Sequence, residues 1–138
     1  MSICLEKRSH TRIHMIKALV VDEDTVFQNL LSKLLGSHGI HVVGRASRLE
    51  QAILLYEATW PDVVLIGLSS VDKDKLEGLS KIKELDPMAK VIVLSIFNSV
   101  EDVAHGAEAL IDAYVIKGSS SRKIVSAVEG VVADIKDQ

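Results

Sequence analysis

The sequence predicts an α/β domain: one five-stranded parallel sheet with helices on both faces. Three observations carry that reading. Short apolar runs alternate along the chain with segments whose apolar residues recur every three to four positions, so strands and helices take turns. Val63-Val64-Leu65-Ile66 and Val91-Ile92-Val93-Leu94 leave no polar face, as strands covered on both sides must. Acidic, hydroxyl and cationic residues follow directly after these runs, at the sheet end where α/β folds bind ligands.

A chain of 138 residues suits a single core, and 48% apolar with 25% charged residues is ordinary for a soluble globular protein. A net charge of −3 supplies no basic field for nucleic acid, so direct nucleic-acid binding is not expected. No apolar run is long enough to cross a membrane. The lone Cys4 excludes an internal disulfide and fits a reducing, cytoplasmic setting. Residues 1–14, with Lys7, Arg8, His10, Arg12 and His14, read as a basic, frayed extension without the apolar centre of a secretory signal; residues 15–138 read as the domain.

Each element has a local reason. Ala18 to Val21 is a short apolar run ending in acids, hence the first strand. A helix follows from about Asp24, with Val26, Phe27, Leu30, Leu31, Leu34 and Leu35 at helical spacing and Gly36 and Gly39 about its end. His41 to Ala46 is the second strand. Ser47-Arg48-Leu49-Glu50 has the form of a capping box and opens a second helix with Leu49, Ala52, Ile53 and Tyr56 inward. Trp60 is a packing residue, and Pro61 introduces the third strand, which runs up to Gly67 and Leu68.

A polar loop, Ser69 to Asp74, precedes a third helix from about Lys75 to Leu85 with Leu76, Leu79 and Ile82 inward. Asp86-Pro87 is a turn, and Lys90 to Ser95 the fourth strand. Ser99-Val100-Glu101-Asp102 resembles a second capping box. It opens a fourth helix using Val100, Val103, Ala104, Ala107 and Leu110, weakened by Gly106. Ala113 to Ile116 is the fifth strand, and a fifth helix carries Ile124, Val125, Val128, Val131, Val132 and Ile135.

The strand ends define the candidate site. The first strand delivers Asp22, Glu23 and Asp24, the third Gly67, the fourth Ser95, and the fifth is followed by Lys117. Clustered carboxylates hold Mg²⁺ through oxygen, and a hydroxyl with an ammonium binds phosphoryl oxygens.

These residues, in this order, resemble the receiver domain of bacterial two-component response regulators, from about Ile16 to the end of the fifth helix. The resemblance implies a flavodoxin-like sheet of strand order 2-1-3-4-5. Asp22 and Glu23 correspond to the acidic pair that helps hold Mg²⁺. Ser95 corresponds to the hydroxyl that moves toward the phosphoryl group, Tyr114 to the aromatic switch residue, and Lys117, followed by Gly118, to the phosphate-binding lysine.

The chain departs from that pattern at the phosphoacceptor itself. Gly67 stands where the family carries aspartate, and glycine offers no carboxylate to form an acyl phosphate. The seat above it is expected to hold only a hydrogen atom, with Lys117 bridging to Asp22 now that no third carboxylate competes. Leu68-Ser69-Ser70-Val71 replaces the usual Met-Pro loop, and Ile96 after Ser95 is expected to crowd an incoming phosphoryl group. Asp72 and Asp74 fall in the loop beyond the strand and are alternative acceptors, but their carboxylates are not expected to sit between the acid pair and Lys117.

The expected function is therefore that of a receiver-like signalling module, not an enzyme. It is not phosphorylated on aspartate and acts through protein contacts, with a homodimer across the fourth helix, fifth strand and fifth helix. No cofactor is required, and Mg²⁺ binding at Asp22 and Glu23 is expected to be weak or vestigial. One alternative is the regulatory half of a helix-turn-helix transcriptional regulator, with a linked output domain. Another is a flavodoxin-like nucleotide or flavin binder, which no phosphate-binding loop supports. The five histidines show no metal-ligand spacing.

Overall fold

The computed structural model describes residues 15–68, 73–96 and 108–136. Its elements are β1 (Ile16–Val21), α1 (Thr25–Ser37), β2 (Ile40–Ala46), α2 (Leu49–Thr59), β3 (Val63–Leu68), α3 (Lys73–Leu85), β4 (Val91–Ser95), a 3-10 turn (Glu108–Leu110), β5 (Ala113–Ile116) and α4 (Ser121–Lys136). All strand pairs are parallel, in the order β2-β1-β3-β4-β5. The predicted extension over residues 1–14 and the fourth helix, apart from its end at Leu110, lie outside the described residues, as do Ser69, Ser70, Val71 and Asp72.

Strand alternation divides the apolar residues between two cores. Ala18, Val20, Val63, Leu65, Ile92, Leu94 and Val115 face α1 and α4, against Leu31, Leu35, Ile124 and Val128. Leu19, Val21, Val64, Ile66, Leu68, Val91 and Val93 face α2 and α3, against Ala52, Tyr56, Leu79 and Ile82. The central strands are fully covered on both sides, which is why their sequences carry no polar alternation.

Two expectations are corrected. Val26 and Leu30 do not face the core; they are 65% and 61% exposed. The buried stripe of α1 runs through Phe27, Gln28, Leu31 and Leu35, and a shift of one residue rotates a side chain by about 100° around a helix. The box at Ser47 is also displaced. Arg48 holds the N-cap position without a side-chain cap, and the Ser47 N–H donates to Oε1 of Gln51 at 3.2 Å. Glu50 instead faces Arg48 on the surface at 3.5 Å.

α2 ends at Trp60, whose φ of 45° lies in the left-handed region that only glycine enters without strain. Its N–H donates to the Tyr56 carbonyl at 2.8 Å, and its ring packs edge-on against Tyr56, centroids 5.6 Å apart. The buried Tyr56 hydroxyl donates to Oδ2 of Asp86 at 2.7 Å, tying α2 to the end of α3.

Candidate functional site

The site follows from the alternation of the strands. Ala18 and Val20, Val63 and Leu65, and Val115 all point toward the α1–α4 core. Two residues further along, the same rows reach Asp22, Gly67 and Lys117 at the carboxyl end of the sheet. The chain leaves β1 through the Asp22 N–H, which donates to the Ala46 carbonyl at 2.9 Å. Asp24 then caps α1, its Oδ1 accepting from the N–H groups of Val26 and Phe27 at 3.0 and 3.2 Å.

Asp22 is buried and held at several points. Its Oδ1 accepts from the Asp24 N–H at 2.9 Å. Its carbonyl accepts from Nε2 of the buried Gln28, which also donates to the Ala46 carbonyl at 3.0 Å. Its Oδ2 lies 2.9 Å from Nζ of Lys117, with side-chain exposures of 6% and 16%. Oδ2 accepts no hydrogen bond, so this contact is a charge pairing.

Lys117 is positioned by its own backbone and by α1. Its N–H donates to the Ser95 carbonyl at 2.6 Å. Gly118, at φ 91°, turns the chain away, and the Ser119 N–H closes that turn on the Ile116 carbonyl at 2.9 Å. The ammonium also stands 4.4 Å from the centre of the Phe27 ring, a cation–π contact.

The seat above Gly67 is not empty, which corrects the expectation of a bare hydrogen. A Cβ on residue 67 would stand 1.9 Å from Oδ2 and 2.6 Å from Cγ of Asp22. The Asp22 carboxylate has taken that volume. Ile96 is 61% exposed, so what fills the pocket is Asp22 rather than Ile96. Ser95 is fully buried at the end of β4, and Tyr114 is half-buried against the α2–α3 core. Glu23, the other member of the acidic pair, is exposed.

This arrangement does not fit Mg²⁺. That ion requires near-octahedral oxygen coordination, and the buried oxygen available to it faces an ammonium. Among the described residues no three histidine, cysteine, aspartate or glutamate side chains gather as metal ligands. Sequence reasoning named Asp22, Gly67 and Lys117 but missed Gln28. A polar residue on the inward stripe of α1, in phase with Leu31 and Leu35, was the signal that could have found it.

Comparison with known proteins agrees with this fold. The family described as response regulator receiver domain matches residues 18–129. The response regulator protein VraR of Staphylococcus aureus (strain Mu3 / ATCC 700698) is 32% identical over 114 residues, covering 82% of this chain and 54% of VraR. The chain thus spans about half the length of the curated relatives it matches. Among solved structures, a LuxR-family two-component response regulator from Aurantimonas sp. SI85-9A1 superposes with a TM-score of 0.78 at 24% identity, over 87% of this chain and 86% of that one. A CheY-like receiver domain protein from Methanospirillum hungatei JF-1 gives 0.77 at 22%, over 89% and 98%. At these identities the two structures establish the fold, and the sequence match establishes the kinship: this chain belongs to the response regulator receiver domain family.

Proposed function

We propose that this receiver domain signals by protein contact without aspartyl phosphorylation. The observation that carries the reading is the pairing of Gly67 with Asp22. Residue 67 has no nucleophile, and the carboxylate beside it is buried, with one oxygen held by a backbone N–H and the other by Lys117. An acyl phosphate on Asp22 would require that ion pair to open and the carboxylate to reach solvent. The module then works as a two-state element biased by its partners, with Tyr114 and the β5–α4 surface as the contact region. It needs no cofactor and catalyses no reaction of its own.

A second reading is that the domain regulates a linked DNA-binding segment. Its support is the half-length coverage of VraR and the likeness to a LuxR-family regulator. The full reading frame decides it.

The test of the leading reading is incubation with a small phosphodonor such as acetyl phosphate, followed by intact-mass measurement. The expected result is no gain of a phosphoryl group. An acid-stable, base-labile adduct mapping to Asp22 would overturn the proposal.

A further inference from the structure

We propose that Lys117 is the resident cation of this pocket and that Gly67 is the cleft that receives the Asp22 carboxylate, so the site fills itself and keeps divalent metal out. This deepens the reading above and uses the same residues. It is tested by ion binding and stability rather than by phosphoryl transfer, so either can fail alone.

Asp22 is 4% exposed, and a carboxylate so buried needs a compensating positive charge. Lys117 supplies it at 2.9 Å. A divalent ion bound to the same oxygen would sit against that ammonium, with like charges a few ångströms apart in a poorly solvated setting. Metal binding therefore has to expel Lys117 first.

Space acts together with charge at Asp22. Oδ2 lies where the Cβ of any residue other than glycine would be, so the inward rotamer of Asp22 exists only because residue 67 has no side chain. Gly67 is then more than the loss of an acceptor. It admits the carboxylate that now occupies the acceptor's volume, and the loss at one position and the pairing at the other form one device.

Lys117 is held by the Ser95 carbonyl, the Gly118 turn and the Phe27 ring. Asp22 is held by the Asp24 N–H and Gln28. Both partners start from a fixed backbone, and the Phe27 ring and the Asp24 N–H each add one contact to a side chain, which lessens the entropy cost that weakens surface ion pairs.

The experiment titrates MgCl₂ and MnCl₂ into the full 138-residue chain and into Lys117→Met, following the amide resonances of residues 22–24 and the melting temperature. The native chain is expected to show no saturable shift at millimolar metal. Lys117→Met, with Asp22 left uncompensated, is expected to melt lower in chelator and to regain about 5 °C or more with metal. Saturable Mg²⁺ binding by the native chain, or indifference of Lys117→Met to both metals, overturns the proposal.

Because Lys117→Met can fail to fold, a second cycle stands beside it. Gly67→Ala is measured in the native background and in Asp22→Ala, where Oδ2 and Cγ are gone and the remaining Asp22 Cβ lies an ordinary 3.4 Å from the new methyl. The fall in melting temperature is expected to shrink by at least half in the second background. An equal fall in both means that Asp22 does not occupy the cleft.

Discussion

The carboxylate of Asp22 and the missing side chain of Gly67 share one volume: a Cβ at 67 would come within 1.9 Å of Asp22 Oδ2. An aspartate placed at 67 therefore does not simply fill a space, because its Cβ must first drive Asp22 out and away from Lys117. Gly67→Asp is expected to lower stability by about 1–3 kcal/mol, as overpacking of a fitted interior does. Urea unfolding with an unchanged m-value checks this.

Gln28 joins the ends of β1 and β2 by donating to the carbonyls of Asp22 and Ala46. Gln28→Leu has nearly the same volume but leaves the Asp22 carbonyl buried without that donor. A loss of roughly 1–3 kcal/mol is expected, with faster amide exchange at Asp22 and Asp24. A neutral substitution would mean that water replaces the amide.

Leu30 and Leu31 are adjacent and chemically identical, yet one is 61% exposed and the other 3%. Leu31→Ala is expected to cost about 2–5 kcal/mol, while Leu30→Ala stays within about 0.5 kcal/mol. Comparing the two midpoints in one denaturant checks the rotational setting of α1.

Gly78 lies where α3 meets the start of α2: a Cβ there would stand 2.2 Å from Cγ and 2.8 Å from Cβ of Leu49. Alanine normally gains about 1 kcal/mol over glycine inside a helix. Here Gly78→Ala is expected to be net destabilising, since part of the obstacle is the first carbon of the Leu49 side chain, which no rotamer moves. The double variant with Leu49→Ala should lose less than the sum of the two single variants, as contacting sites do.

Tyr56→Phe removes the hydroxyl that donates to Oδ2 of Asp86 and leaves that oxygen in a buried setting. A loss of about 1–3 kcal/mol is expected. Tyr56→Phe with Asp86→Asn should show a non-additive result in the same assay if the two groups act as a pair.

Much of this molecule can be read along the chain because its periodicities are local. A strand repeats every two residues and a parallel order sends every strand out at the same end, so Asp22, Gly67 and Lys117 were expected along one edge of the sheet once the five apolar runs were seen. That residue 67 carries no carboxylate needed no coordinates at all. What periodicity could not supply was phase and occupancy. Whether Leu30 or Leu31 turns inward depends on the rotation of α1 against the sheet. Whether Gln51 or Glu50 reaches back to Ser47 depends on where α2 begins.

The residue types and the rows they occupy were thus determined by sequence alone. The filling of the Gly67 cleft was decided by the tertiary structure, because it rests on the rotamer of Asp22 and on a lysine brought to 2.9 Å by two strands that are not neighbours in the sheet. Spacing along a chain carries no information about which of several nearby groups will take a vacated volume. Charge compensation and steric fit in three dimensions do.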